Sequence, residues 1–200
     1  CIRDRSIFRS YFLDSIDFSP EDVVIDCGAN YADLYLHLSL LAPGIHYVTF
    51  EPSPKEHECV LRNAPGQEHH ASALAKVSGP IELYVSSKGA DSSTIEPHSG
   101  FTHILTINGI CLNEYAETVP AIKLLKLEAE GSEPEILEGA LDVLEKIEYI
   151  AADGGAERGL SRESTIESIT NLLLDNNFEL VRLDVESGKG RALFRNKSFE

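Results

Sequence analysis

The chain has no methionine, only four cysteines, and seventeen basic residues against thirty-three acidic ones. Methionine is missing even as an initiator; trimming ahead of Cys1 would account for that, and spacings across loops are read loosely. Cys1, Cys27, Cys59 and Cys111 show no C-x-x-C spacing and no dense framework, so a reduced, cytoplasmic compartment is the expectation. Cys27 falls inside an apolar run and reads as a small buried hydrophobe. The shortage of base leaves a net charge of −16. A field of that sign repels phosphate backbones and anionic lipid, so neither nucleic acid nor membrane is an expected partner. No apolar stretch approaches the roughly 20 residues of a bilayer span, and no signal peptide is visible.

What remains is the composition of a soluble globular protein. Two hundred residues suit one domain, residues 1–200, with an N-terminal helix within 1–18 and a core over 22–196. Ile7, Phe8, Tyr11, Phe12 and Ile16 repeat at helical spacing over residues 4–17. VVIDC (23–27) and HYVTFE (46–51) read as buried strands, each followed by a helical pattern, 30–41 and 53–64. Ser53 is the expected cap of the second helix, with Pro54 at its first position. Further strands are expected near 69–74, at IELYVSS (81–87), at HILTI (103–107), along AIKLLKLEAEG (121–131) and at IEYIAAD (147–153). Helices are expected at 110–117, 132–146 and 164–176, and a terminal hairpin turns through SGKG. Such alternation predicts an α/β fold: a mostly parallel sheet, helices on both faces, and a C-terminal antiparallel hairpin.

In such a sheet, ligands bind beyond the carboxyl ends of the strands, where the strand order reverses. Asp26, Glu51, Glu128 and Asp153 all fall at strand ends. After Asp26 the turn runs Gly28-Ala-Asn30-Tyr-Ala-Asp33, one glycine where a dinucleotide fold needs three, with acids that would repel a diphosphate. That argues against a nicotinamide or flavin dinucleotide. Glu51 can accept two hydrogen bonds from a ribose diol, and Asp26 can attract an ammonium. A nucleoside without phosphate is what S-adenosylmethionine presents. For either acid alone, a helix cap or a solvated turn is an equal reading; the pair on one rim favours the cofactor.

Taken in order, VVIDCGAN (23–30), TFEPSP (49–54), ASALAKVSGPIELYVS (71–86), GADSSTI (89–95) and IKLLKLEAEGSEPEILEGA (122–140) resemble the FkbM-type methyltransferases that use S-adenosylmethionine. The resemblance covers most of the chain and includes the hydrophobic frame of the last helix and hairpin. It implies a Rossmann-like class I methyltransferase, usually an O-methyltransferase. It also implies that Asp26, Gly28 and Asn30 hold the methionine end of the cofactor, Glu51 the ribose, and Ala73 and Leu74 the adenine. The chain departs from the family pattern at two places. Tyr31-Ala32 stands in place of an aliphatic residue and a second glycine, and Glu128 in place of aspartate.

Methyl transfer to oxygen is an in-line displacement that brings two atoms together and removes a hydroxyl proton. Lys126, Glu128 and Glu130 alternate along the expected strand and so would share one face. Glu128 and Glu130 are the candidate catalytic acids, since neighbouring carboxylates raise one pKa. Two other readings stand beside this one. Glu128, Glu130 and Asp153 could hold a divalent metal, or Lys126 and Glu128 could form an ion pair while Glu130 caps the helix at Ser132. With no His or Asn at ligand spacing, no metal is expected. The polar stretch 89–100, flanked by His98 and His103, reads as a lid, and Asp153–Gly159 as a wall over the acceptor, with Arg158 solvated in the plainer reading. The predicted function is methyl transfer to a hydroxyl of a small molecule or glycan. A methyltransferase-like binding module without catalysis is the rival that Tyr31-Ala32 raises; a nucleotide-dependent oxidoreductase is disfavoured by the missing glycines.

Overall fold

A computed structural model describes residues 2–86, 91–185 and 190–199, the first four of these by backbone alone. Ser87, the start of the polar stretch at 89–90 and the turn residues 187–189 lie outside the described residues. The β-branched run Val23–Cys27 is β1, and α2 (Asp33–Leu41) follows it, after the N-terminal helix α1 (Ile2–Ser10). Next come β2 (His46–Phe50), α3 (Pro54–Asn63) and β3 (Glu68–His70). The chain then forms β4 (Ala73–Ala75), β5 (Gly79–Val85) and β6 (His103–Cys111) before it returns through the one-turn α4 (Leu112–Tyr115) to β7 (Ile122–Leu127). Then follow α5 (Glu133–Glu138), β8 (Ile147–Asp153), the short strands β9 (Ala156–Arg158) and β10 (Glu163–Ser164), and α6 (Ile166–Asp175). The hairpin β11 (Phe178–Asp184) and β12 (Arg191–Asn196) ends the order.

Seven strands form one sheet in the order β11-β12-β8-β7-β1-β2-β3. β1 pairs in parallel with both β2 and β7, so the winding reverses between β1 and β7. β12 runs antiparallel to β8, which sets Arg191 opposite Asp153 on the carboxyl rim of the parallel strands. Successive residues of a strand face opposite sides. Ile25, Cys27, Leu125 and Leu127 therefore join the core under α4, α5 and α6, whereas Val24 and Leu124 join the one under α1, α2 and α3. By the same alternation Asp26 and Lys126 lie on the α1 side.

Several local expectations need correction. The third strand divides: β3 joins the large sheet, while β4 belongs to a second sheet ordered β4-β6-β5. β6 extends past Ile107 to Cys111 because it pairs along its length with β5, leaving one helical turn where a helix over 110–117 is predicted; cross-strand pairing outweighs the local pattern. The helix over 132–146 is only Glu133–Glu138. A Cβ at Gly139 would stand 2.7 Å from the Ala75 carbonyl oxygen, so the chain there passes against β4 instead of coiling on. The N-terminal helix stops at Ser10, with Phe12 at φ 60°. Ser53 makes no side-chain cap; its N–H is taken by Glu51 instead, at 2.9 Å. β7 ends at Leu127, and Glu130 (φ 52°) and Gly131 (φ 102°) form a tight turn, so the extended strand predicted to carry Glu128 and Glu130 on one face ends before both.

Candidate active site

At the reversal point the turn after β1 lies against the turn after β7. Gly28 has φ 73°, and a side chain there would overlap the Glu128 carbonyl oxygen, so only glycine fits. Asn30 and Ala32 also adopt left-handed backbone, at φ 53° and 56°. Ala32 thus holds the conformation that a second glycine would take at lower cost, and neither it nor Tyr31 lines the cavity beside the turn. That cavity is lined by Gly28, Asn30 and Glu51, by Ala73 and Leu74 of β4, and by Glu128 and Glu130. Asp26, the remaining predicted site residue, faces a neighbouring cavity instead.

Glu51 is 6% exposed, and its two oxygens accept one backbone N–H each, from Asn30 at 2.8 Å and from Ser53 at 2.9 Å. Burial pushes its carboxyl up to about 7 against those hydrogen bonds. The Asn30 Oδ1 is buried without a donor among the described residues. Phe50 forms part of the wall, with the His70 ring stacked on it at 4.6 Å and Tyr115 edge-on at 5.2 Å. Sequence reasoning assigned no part of this wall to the segment after Asp91. Ser92 and Thr94 line it, the Thr94 hydroxyl meets that of Ser132 at 2.6 Å, and Ser93 donates to the Glu130 carbonyl at 3.0 Å. The only sequence signal was the GADSSTI block.

The neighbouring cavity holds a charge network under α1. Lys126 Nζ lies 2.9 Å from Asp26 Oδ1, 2.9 Å from Glu128 Oε2 and 2.9 Å from the Gly28 carbonyl oxygen. The Tyr47 hydroxyl donates to Asp26. Arg191 Nε donates to Asp153 Oδ2 at 2.8 Å, and its Nη2 stands 3.8 Å from Glu128 Oε1. Burial works against the charge on Glu128, but Lys126 outweighs it and holds the carboxyl below its ordinary value. The ion-pair reading of Lys126 and Glu128 therefore describes the contact. The capping reading of Glu130 does not: Glu133 Oε1 takes the N–H groups of Ala129 and Gly131, at 2.8 and 3.2 Å.

A third cavity adjoins through Asp91 and Glu130 and is lined further by Ser93, His98, Glu157 and Arg162. Burial, then the charges of Glu157, Glu128 and Asp91, pushes the Glu130 carboxyl up to about 9. Partial desolvation, then Asp153, raises Glu157 to about 7. Arg158 is not solvated as the plainer reading had it; it forks onto Glu135 at 2.6 and 2.8 Å and reaches the Gly131 carbonyl at 2.6 Å. His103 lies by Thr102 and lines none of these cavities. Among the described residues no three His, Cys, Asp or Glu side chains converge as a metal site.

The profile of the family described as "Methyltransferase FkbM domain" matches residues 26–180. The hexuronic acid methyltransferase AglP of Haloferax volcanii is 27% identical over 173 residues, which is 81% of this chain and 71% of that protein. The precorrin-6y C5,15-methyltransferase of Geobacter metallireducens superposes with a TM-score of 0.57 at 12% identity, over 96% of this chain and 87% of that one. M. capricolum TrmK, solved with S-adenosylhomocysteine, gives 0.54 at 13% identity, over 98% and 68%. These solved structures share the Rossmann-like fold, which in this chain is a mostly parallel sheet flanked by helices with an antiparallel hairpin at its end. The matched profile spans the whole reversal point, and the chain belongs to the FkbM methyltransferase family, with S-adenosylmethionine as its methyl donor.

Proposed function

We propose that the chain transfers the methyl group of S-adenosylmethionine to a hydroxyl of a small molecule or glycan. One observation carries this reading: the Glu130 carboxyl stands on the wall shared by the cavity beside Gly28 and the polar cavity of Ser93, His98 and Arg162. The residues beside Gly28 fit the donor. Each Glu51 oxygen has accepted one N–H and keeps a lone pair for a ribose hydroxyl. Leu74 and Ala73 offer apolar surface to the adenine, and the unpartnered Asn30 Oδ1 awaits a donor group next to Gly28. Asp26 acts from behind the turn by neutralising Lys126.

The bound donor supplies a methyl on a sulfonium, open to in-line attack. Glu128, kept ionised by Lys126, sets a fixed negative charge beside that cation. Glu130 faces the acceptor side and is the base for its hydroxyl proton, active once it has lost its own. The polar third cavity and the uronic-acid acceptor named for the Haloferax relative both favour a carbohydrate. The test is transfer of labelled methyl to uronic-acid and neutral glycans, phenols and small alcohols. An alkali-stable ether is expected; an alkali-labile ester would move the target to a carboxylate. Binding of S-adenosylhomocysteine with no transfer to any acceptor would favour the binding module.

A further inference from the structure

The cavity beside Gly28 continues past Asn30 and Glu128 into the charged cavity under α1. We propose that this second cavity receives the amino-acid end of the methyl donor, with the Arg191 guanidinium binding its α-carboxylate against the ring of Tyr11. The proposal rests on the donor reading above. Tyr11 and Arg191 both lie outside residues 26–180, so the family match assigns them nothing.

Three observations point there. Four carboxylates (Asp26, Asp33, Glu128, Asp153) meet two cations (Lys126, Arg191), leaving negative charge in excess. A zwitterionic tail joined to a sulfonium carries one net positive charge and is drawn to that excess. Next, the two cations differ in what they have left to give. Lys126 donates to the carbonyls of Gly28 at 2.9 Å and Cys27 at 3.4 Å and is ion-paired with both Asp26 and Glu128. Arg191 spends only Nε on Asp153; its Nη2 is beyond hydrogen-bond reach of Glu128, so the outer edge of the guanidinium has no acceptor among the described residues. A planar fork of that kind matches a carboxylate in two parallel hydrogen bonds. Finally, buried polar atoms of Asn30, Tyr11 and Asp26 lack hydrogen-bond partners among the described residues where the tail would pass. Asn30 Oδ1 has no donor, and the Tyr11 hydroxyl, 1% exposed, lies by Glu128 without a hydrogen bond of ordinary geometry. The Tyr11 ring stands 4.7 Å from Arg191 Cζ and 5.7 Å from Lys126 Nζ, which fixes the plane of the guanidinium.

The alternative continuation, through Asp91 and Glu130, leads to a cavity with three carboxyls and Arg162. It has no ion-paired set to match a zwitterion. The tail and the acceptor therefore approach Glu128 and Glu130 from opposite sides of the turn after β7.

Calorimetry on the full chain tests this with three probes: S-adenosylhomocysteine, its α-carboxamide analogue, and methylthioadenosine, which lacks the tail. The unaltered chain is expected to prefer the carboxylate to the carboxamide by about tenfold or more, the scale of a charge-assisted hydrogen bond. Arg191→Gln is expected to erase that preference while methylthioadenosine binds as before. Equal affinity for carboxylate and carboxamide on the unaltered chain overturns the proposal, as does an undiminished preference in a folded Arg191→Gln. If that variant does not fold, Arg191→Lys takes its place, with an expected few-fold loss of preference. Methylthioadenosine that binds beside tailed probes treated alike overturns this proposal alone; failure of all three probes to bind overturns the donor reading beneath it.

Discussion

The backbone N–H of Asn30 donates to Glu51 Oε2 at 2.8 Å, tying the turn after β1 to the end of β2. With Ser53 on its other oxygen, one carboxylate organises both loops. Glu51→Ala is expected to cost roughly 1–3 kcal/mol in urea denaturation, because two N–H groups lose their acceptor. Binding of S-adenosylhomocysteine should weaken by about tenfold or more as two ribose contacts vanish. Unchanged affinity in a folded variant would remove Glu51 from the site.

Ala32 bears on the question of a closed pocket. Its left-handed backbone costs roughly 1 kcal/mol that glycine would not incur, yet Ala32→Gly also removes a buried methyl worth about 0.8 kcal/mol. The two nearly cancel, so stability is expected to stay within about 1 kcal/mol of the unaltered chain. Affinity for S-adenosylhomocysteine should not move, since Ala32 lines no part of the cavity. A large gain in affinity would show that the alanine constricts the turn.

Lys126→Met is expected to destabilise the fold by roughly 3–5 kcal/mol, because it strands two carboxylates beneath α1. Adding Asp26→Asn to it should recover part of the loss. Thermal melting of the single and double variants decides, and strictly additive losses would show that Lys126 and Asp26 are not coupled.

Glu130 predicts the pH dependence. Its carboxyl titrates at about 9 in the fold, against an ordinary value of 4.5, so between those limits the folded chain binds the extra proton. Stability should therefore fall as pH rises through that window, and Glu130→Gln should flatten the fall. As a base the group must first lose its proton, so turnover should climb with pH toward about 9. In Glu130→Gln that limb should disappear and kcat drop by about a hundredfold. A limb that persists in the variant would pass the role to another group.

Much of the site was legible before any tertiary contact. Gly28 between a β-branched run and a helical pattern, Glu51 at the end of the next strand, and the ordered FkbM blocks identified the donor side. Residues 126–130 were harder to read. Alternation of Lys126, Glu128 and Glu130 suggested one face, but alternation holds only while the backbone stays extended, and the left-handed Glu130 ends it. Instead Glu128 turns toward Lys126 and Glu130 toward the third cavity. The paired β5 and β6 hid a second sheet, because a pairing partner many residues away leaves no local mark.

By itself the sequence determined the class of fold, the strand-end acids and the family, since hydrophobic period, glycine position and block order are all local in the chain. Only the tertiary structure decided what each acid does. Asp26 is neutralised by a lysine one strand over, Glu51 holds two loops, and Glu130 is forced toward its protonated form by burial and by Glu157. It alone also brings Tyr11 and Arg191, from opposite ends of the chain, onto the same rim. The charge state of a carboxyl and its reach toward a ligand depend on neighbours in space, and the reversal of winding between β1 and β7 is what assembles them.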